Sequence, residues 1–176
     1  LQLQRFQSLE DLDPGLHVFN SSSSCPCLLP LEFNSQSPFD SNLSMFHFNA
    51  RSLQKNFENI SQFLSTLHHS FDFIAISETW INASPLIPFS LDGYTMLHAD
   101  RSYGRGGGVA LFVKNGTVYN VRKDIVCSSD TDINCECLFI DFVDQFQKKN
   151  TVGVIYRKPG SNMTHFFEFY NDIVRK

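Results

Sequence analysis

The run FDFIAIS at residues 71–77 limits the possible folds more than any other part of the chain. It is apolar almost throughout and lacks the alternation of a half-exposed strand, which is typical of a strand buried on both faces. Before it, apolar residues recur at steps of three and four, as on one face of a helix: Leu53, Phe57, Ile60, Leu64 and Leu67. A short strand at 45–48 precedes this helix, and Ser52 is placed to cap it. Strand, helix and buried strand together predict a crossover unit with two parallel strands.

The rest of the chain carries further strand signals and one more helical pattern. Turn residues and apolar runs predict strands within 92–97, 109–113, 135–142 and 151–157. Asn115-Gly116 is a hairpin signal after the second of these, and the last two strands are expected to form an antiparallel pair. Residues 164–174 have apolar side chains at helical spacing. Strands in hairpins with flanking helices predict a layered α/β or α+β fold.

Length and composition bound the organisation of the chain. With 176 residues, 42% of them apolar, one globular domain is expected. Residues 1–43 lack a sustained period and are predicted to be an irregular leader with a short helix at its start, which leaves 44–176 as the folded part. No apolar stretch approaches the roughly 20 residues that span a bilayer, so no membrane association is expected. Five cysteines, an odd number without a dense framework, favour a reducing, intracellular compartment, nuclear or cytoplasmic.

Positive charge and glycine are concentrated in one region of the sequence. A net charge of −4 excludes a chain that is basic overall, so a basic surface must be local, and residues 101–123 are the candidate. The glycines at 104 and 106–108 do not form a phosphate loop, because no Gly-Lys-Ser/Thr follows and the run enters a strand rather than a helix. We expect a bend into a central strand, with Arg101 and Arg105 exposed beside it.

Polar side chains stand where three of the predicted strands end. Glu78 follows the buried strand directly, Asn49 follows the first strand, and Tyr156 and Arg157 close the last one. A carboxylate at such an edge can bind a divalent cation, an amide can orient it, and a phenol or guanidinium can hold a phosphate oxygen. Taken singly, each also has a plain structural explanation, as a strand-end carboxylate, a turn residue, a half-buried aromatic or a surface charge.

Taken in order, these segments resemble a known family. HFNARSL (47–53), DFIAISETWI (72–81), Gly93-Tyr94, RGGGVALFV (105–113) and GVIYRKPGSN (153–162) are similar to motifs of the endonuclease/exonuclease/phosphatase superfamily. More narrowly, they resemble the apurinic-type endonuclease domain at the front of non-LTR (LINE-type) retrotransposon polyproteins. The resemblance implies a four-layer α/β/β/α sandwich and Mg²⁺-dependent hydrolysis of a DNA phosphodiester, a nick that primes reverse transcription. It also implies DNA and the rest of a reverse-transcriptase polyprotein as partners.

The resemblance assigns roles to particular residues. It implies that Glu78 is a ligand of Mg²⁺, that Asn49 is the active-site amide beside it, and that Tyr156 contacts the scissile phosphate. The cations within the same motifs are candidates for binding phosphate: Arg51, Arg105 and Arg157.

Two later motifs of the family have no match in this sequence. One is a Gly-Asp-Phe-Asn-like loop whose Asp activates the nucleophile, and the other is a Ser-Asp-His-like segment. We therefore expect residues 44–176 to be the N-terminal portion of such a domain, with about half of its two-sheet core, and the chain alone to be inactive. Two alternatives stay open: a non-catalytic remnant that acts as a binding module, and a phosphatase of the same superfamily.

Overall fold

In the computed structural model of the chain, the described residues are 28–35, 43–81, 89–101, 106–125 and 134–175. They form helices and strands in the order α1 Pro30–Ser35, β1 Met45–Asn49, α2 Leu53–Thr66, β2 Phe73–Ser77, β3 Tyr94–Ala99, β4 Val109–Lys114, β5 Tyr119–Val121, β6 Cys135–Val143, β7 Lys149–Arg157 and α3 Met163–Val174. The strands lie in two sheets, so this part of the chain has a mixed α/β architecture, consistent with an α+β fold.

The first sheet has four strands in the order β1-β2-β4-β3. Strands β1 and β2 are parallel, with Met45 opposite Phe73 and Asn49 opposite Ser77, and α2 connects them. The predicted crossover unit is therefore confirmed. Strand β2 also pairs with β4 in antiparallel orientation and is buried along its whole length, as its unbroken apolar sequence predicts.

The second sheet has three antiparallel strands in the order β5-β6-β7. The expected pairing of the last two strands is confirmed, with Cys135 opposite Arg157. The hairpin predicted at Asn115-Gly116 is wrong: the chain turns there, but β4 and β5 lie in different sheets. Both edges of β4 are already paired, to β2 and to β3, so the strand that follows the turn has no place beside it.

The core consists of two apolar clusters, one on each face of the first sheet. Between α2 and the sheet, Leu53 and Ile60 pack with Ile74, Ile76 and Phe112. On the opposite face, the second sheet covers the alternate residues, and the buried members of that cluster are Phe73, Ala75, Val109, Leu111, Val113, Leu138, Ile140, Phe142 and Val154. A helix layer and two sheet layers are therefore packed in succession.

Helix α2 begins without the cap that its sequence predicts. Ser52 has a φ of 95° and its side chain makes no capping hydrogen bond, so this prediction is wrong. The backbone N–H groups of Ser52 and Leu53 instead donate to the carbonyl oxygens of Glu78 and Thr79, at 2.9 and 2.8 Å. The start of the helix is thus held by the segment that follows β2.

Part of the expected irregular leader is helical and packed. Within α1, Asn34 Nδ2 donates to the carbonyl oxygen of Thr66 at 2.7 Å, and Asn34 Oδ1 accepts from the N–H of His68 at 2.8 Å. These bonds fasten α1 to the end of α2. The helix expected at the start of the leader lies outside the described residues. None of the helices in the described ranges combines the length and apolar character that a bilayer-spanning helix needs.

Candidate active site

Asn49 and Glu78 meet at one edge of the first sheet. The parallel register places Asn49 opposite Ser77, so Glu78, the next residue, leaves its strand beside Asn49. Asn49 Nδ2 donates a hydrogen bond to Glu78 Oε1 at 3.0 Å. The structure therefore brings together two of the residues that the sequence analysis singled out. Glu78 is only partly buried, which leaves its carboxylate accessible to a ligand.

Tyr156 completes this group from the second sheet. Partial burial raises the pKa of the Tyr156 phenol above its ordinary value of 10, and the nearby negative charge of Glu78 raises it further. Arg101 acts in the opposite direction, and Glu136 adds to the increase. Tyr156 is therefore protonated at neutral pH, and its hydroxyl can donate to an anionic oxygen.

The backbone around these residues is unusual. Among the described residues, six that are not glycine have positive φ, and four of them lie here: Arg51 (44°), Ser52 (95°), Glu78 (54°) and Trp80 (53°). Such conformations each cost about 1–3 kcal/mol and persist only where the surroundings enforce them. The amino-acid pattern does not predict this cluster.

Hydrogen bonds between loops enforce these conformations. In addition to the bonds from the start of α2, Thr79 N–H donates to the carbonyl oxygen of Gly108 at 3.2 Å and Trp80 N–H to that of Gly107 at 2.9 Å. The segment after β2 is therefore bonded on one side to the start of α2 and on the other to the bend before β4. Glu78 stands on a backbone that is fixed from both sides.

A buried ion pair lies under the site, and the sequence analysis missed it. Arg101 Nε and Nη2 donate to Glu136 Oε1 and Oε2 at 2.7 and 3.1 Å, and the two side chains are 7% and 3% exposed. The expectation that Arg101 is exposed is therefore wrong. A sequence sign of the buried pair is the glycine run, because a Cβ at Gly107 would lie 2.6 Å from Arg101 Cζ and leave no room for the guanidinium.

The three candidate phosphate-binding cations have different surroundings. Arg51 is exposed, two residues from Asn49. Arg157 points to the opposite face of β7 from Tyr156, since side chains alternate along a strand, and its Nη1 donates to Ser161 Oγ at 3.2 Å. The structure thus does not bring Arg157 to the Asn49–Glu78 pair. Arg105 lies outside the described residues.

The donors at the site fit a hard divalent cation. Mg²⁺ is commonly bound through one or two carboxylates and keeps several waters, so the Glu78 carboxylate with the Asn49 amide oxygen nearby is a suitable set. Within the described ranges, no group of three or more His, Cys, Asp or Glu side chains is arranged to hold a metal ion.

Comparison with known proteins adds no family: neither a scan against protein-family models nor a search of curated proteins finds a match to this chain.

Proposed function

We propose that this chain carries the metal-binding and phosphate-binding part of a Mg²⁺-dependent phosphodiesterase site of the endonuclease/exonuclease/phosphatase type, with DNA as the substrate. The observation that carries the proposal is the 3.0 Å hydrogen bond between Asn49 and Glu78, two residues from separate motifs that the family resemblance assigns to one site. Tyr156, from a third motif, lies near enough to the same carboxylate for its negative charge to raise the pKa of the phenol.

The four-layer sandwich is part of the same proposal. Helix α2 and the two sheets supply three layers, and α3 supplies the fourth on the outer face of the second sheet. In support of this, Arg157 points away from Tyr156 on β7, and its guanidinium lies 5.8 Å from the ring centroid of Phe166 in α3.

Each residue has a chemical role in the proposed site. Glu78 binds the cation, and Asn49 orients the carboxylate by donating to Oε1, which leaves the other lone pairs of the carboxylate for the metal. Tyr156 donates its hydroxyl hydrogen to a phosphate oxygen. The metal, when bound, neutralises negative charge on the phosphate.

The chain alone is proposed to bind but not to cleave. The family motifs that activate water have no match in the sequence, and the described residues contain no group of three or more His, Cys, Asp or Glu side chains that could hold a metal ion. The second of these observations also favours an alternative from a different class, a non-catalytic remnant that serves as a binding module. The two proposals differ in whether Mg²⁺ binds at Glu78.

A metal titration tests the proposal, because Trp80 is the single tryptophan of the chain and lies two residues from Glu78. Addition of Mg²⁺ is expected to change Trp80 fluorescence in the wild-type chain but not in Glu78→Gln. Glu58→Gln, at an exposed position of α2, is the matched control and should respond as the wild type does. A response that is the same in all three chains, or absent from all three, would refute the metal site.

Nicking of supercoiled plasmid with Mg²⁺ tests the activity. No nicking above that of Glu78→Gln is expected from the chain alone, whereas nicking that Glu78→Gln abolishes would show a complete enzyme. A labelled DNA duplex tests the substrate: Arg51→Ala should weaken binding and reduce the slope of log affinity against log salt by about one. Unchanged binding would remove Arg51 from the proposed surface.

A further inference from the structure

The Arg101–Glu136 ion pair is buried beside Tyr156, one of the candidate site residues. Both oxygens of Glu136 accept from the guanidinium, and both side chains are almost completely buried. Burying two charges carries a desolvation cost that the attraction between them often fails to offset, so such a pair is weak support for stability as its purpose. Its directional bonds are the property that an apolar replacement would lack.

The pair reaches the Glu78 side of the site through the bend before β4. Glu136 Oε2 also accepts from the N–H of Gly108 at 3.2 Å. The carbonyl groups of Gly107 and Gly108 in turn accept from Trp80 and Thr79, the two residues that follow Glu78. A continuous series of hydrogen bonds therefore runs from the ion pair to the strained backbone that presents Glu78.

The pair reaches the Tyr156 side directly. Glu136 and Tyr156 are opposite one another in the register of β6 and β7. Arg101 Cζ lies 5.8 Å from the centroid of the Tyr156 ring, within the range of a cation–π contact. The same guanidinium thus contacts the ring of Tyr156 and the carboxylate that positions the bend.

We infer that the buried Arg101–Glu136 pair is the positioning element of the site, which fixes Glu78 and Tyr156 relative to each other across the two sheets. The inference rests on the proposed function, because the geometry it maintains is that of the metal and phosphate site. Arg101 and Glu136 are positioning residues, since they act through Gly108, Thr79 and the Tyr156 ring. Groups of this kind commonly change metal affinity 10- to 100-fold when they are replaced.

The test compares Mg²⁺ affinity, read from Trp80 fluorescence, in Arg101→Lys and Glu136→Gln. Arg101→Lys keeps the charge but loses the two-pronged geometry, and Glu136→Gln keeps the shape but loses the charge. Each is expected to weaken Mg²⁺ binding about 10-fold or more in chains whose far-ultraviolet circular dichroism shows that they are folded. Arg122→Lys is the matched control, because Arg122 also pairs with carboxylates, Asp124 and Asp141, but on the surface. It should leave the affinity unchanged.

The outcomes separate the inference from the proposed function. Wild-type affinity in folded Arg101→Lys and Glu136→Gln would overturn the inference while leaving the metal site intact. A wild-type chain without a Mg²⁺ response that depends on Glu78 would refute the proposed function instead. Amide hydrogen exchange in the wild-type chain gives a reading that needs neither metal nor variants: the amides of Gly108, Thr79 and Trp80 should exchange as slowly as those of β4. If these three amides exchange faster than those of β4, through local opening, the inference is overturned even if both variants fail to fold.

Discussion

Substitution of Gly108 by alanine should destabilise the protein through a contact that can be isolated. Gly108 has a φ of 80°, and a Cβ at this position would overlap Thr79 Oγ1, a fully buried atom. The unfavourable φ costs about 1–3 kcal/mol for a residue with a side chain. Overpacking against a buried neighbour adds about 1–3 kcal/mol. We expect Gly108→Ala to lower the free energy of unfolding by the sum of these, about 2–6 kcal/mol.

Gly116→Ala separates the two contributions. Gly116 has a φ of 92°, and a Cβ there would meet no atom within 4 Å, so its substitution carries the backbone cost alone. The loss for Gly108→Ala should exceed that for Gly116→Ala by about 1–3 kcal/mol, the overpacking contribution. The measurement is urea unfolding followed by circular dichroism, because Trp80 fluorescence would report on the glycine run itself.

A double-mutant cycle identifies the neighbour. Thr79→Ala removes the overlapping Oγ1 atom, and that atom has no hydrogen-bond partner whose loss would confuse the result. Gly108→Ala combined with Thr79→Ala should therefore be more stable than the sum of the two single effects by about 1 kcal/mol or more. Equal losses for Gly108→Ala and Gly116→Ala, or an additive cycle, would refute the reasoning.

Two further predictions concern parts of the fold away from the site. Phe73 is 1% exposed and packs between the sheets, with its ring centroid 4.9 Å from that of Phe142. Phe73→Ala should therefore lower the free energy of unfolding in urea by about 3–5 kcal/mol. Phe167→Ala, at a position that is 52% exposed, should lower it by less than about 1 kcal/mol. Hydrogen bonds from the N–H groups of Lys148 and Phe146 and from Asn150 lower the pKa of Asp144 below 3.8. The contribution of the Asp144 carboxylate to the stability of the fold is therefore fully present above pH 3.8. It disappears as the pH falls through the lowered pKa. Wild type and Asp144→Ala should differ in thermal stability at pH 6 and converge at acid pH; a constant difference would contradict this.

The crossover unit and the meeting of Asn49 with Glu78 follow from the sequence, for a local reason. Helical spacing and a continuous apolar run specify β1, α2 and β2, and parallel strands bring their carboxyl ends to one edge. Once Asn49 and Glu78 are assigned to those ends, their proximity needs no further information. This part of the site depends on contacts within one unit of about 35 residues, for which periodicity is sufficient.

The features that the sequence did not predict depend on contacts between units. Arg101 and Glu136 are 35 residues apart, one just after β3 of the first sheet and the other in β6 of the second, and each alone is typical of a surface residue. The turn at Asn115-Gly116 has hairpin chemistry, but the choice of partner for β5 is decided by the neighbours that β4 already has. In the same way, Ser52 has the chemistry of a cap, and contacts with the segment after β2 replace it. Local patterns specify each element, whereas sheet order and buried charges are set by packing.

The distribution of positive φ angles bears on whether the site is functional or only structural. At turns such as the one at Gly116, the chain meets the same backbone requirement with glycine, at no steric cost. At Glu78 and Trp80 it uses large side chains, although glycine would relieve about 1–3 kcal/mol at each. A purely structural turn has no need of a carboxylate in this conformation, because the Asn49 amide that it binds is itself exposed. Under the proposed function, the strain at Glu78 is the cost of presenting an oxygen ligand at a fixed point above the sheet edge. The hydrogen bonds from Ser52, Leu53, Thr79 and Trp80 supply the rigidity that such a ligand requires.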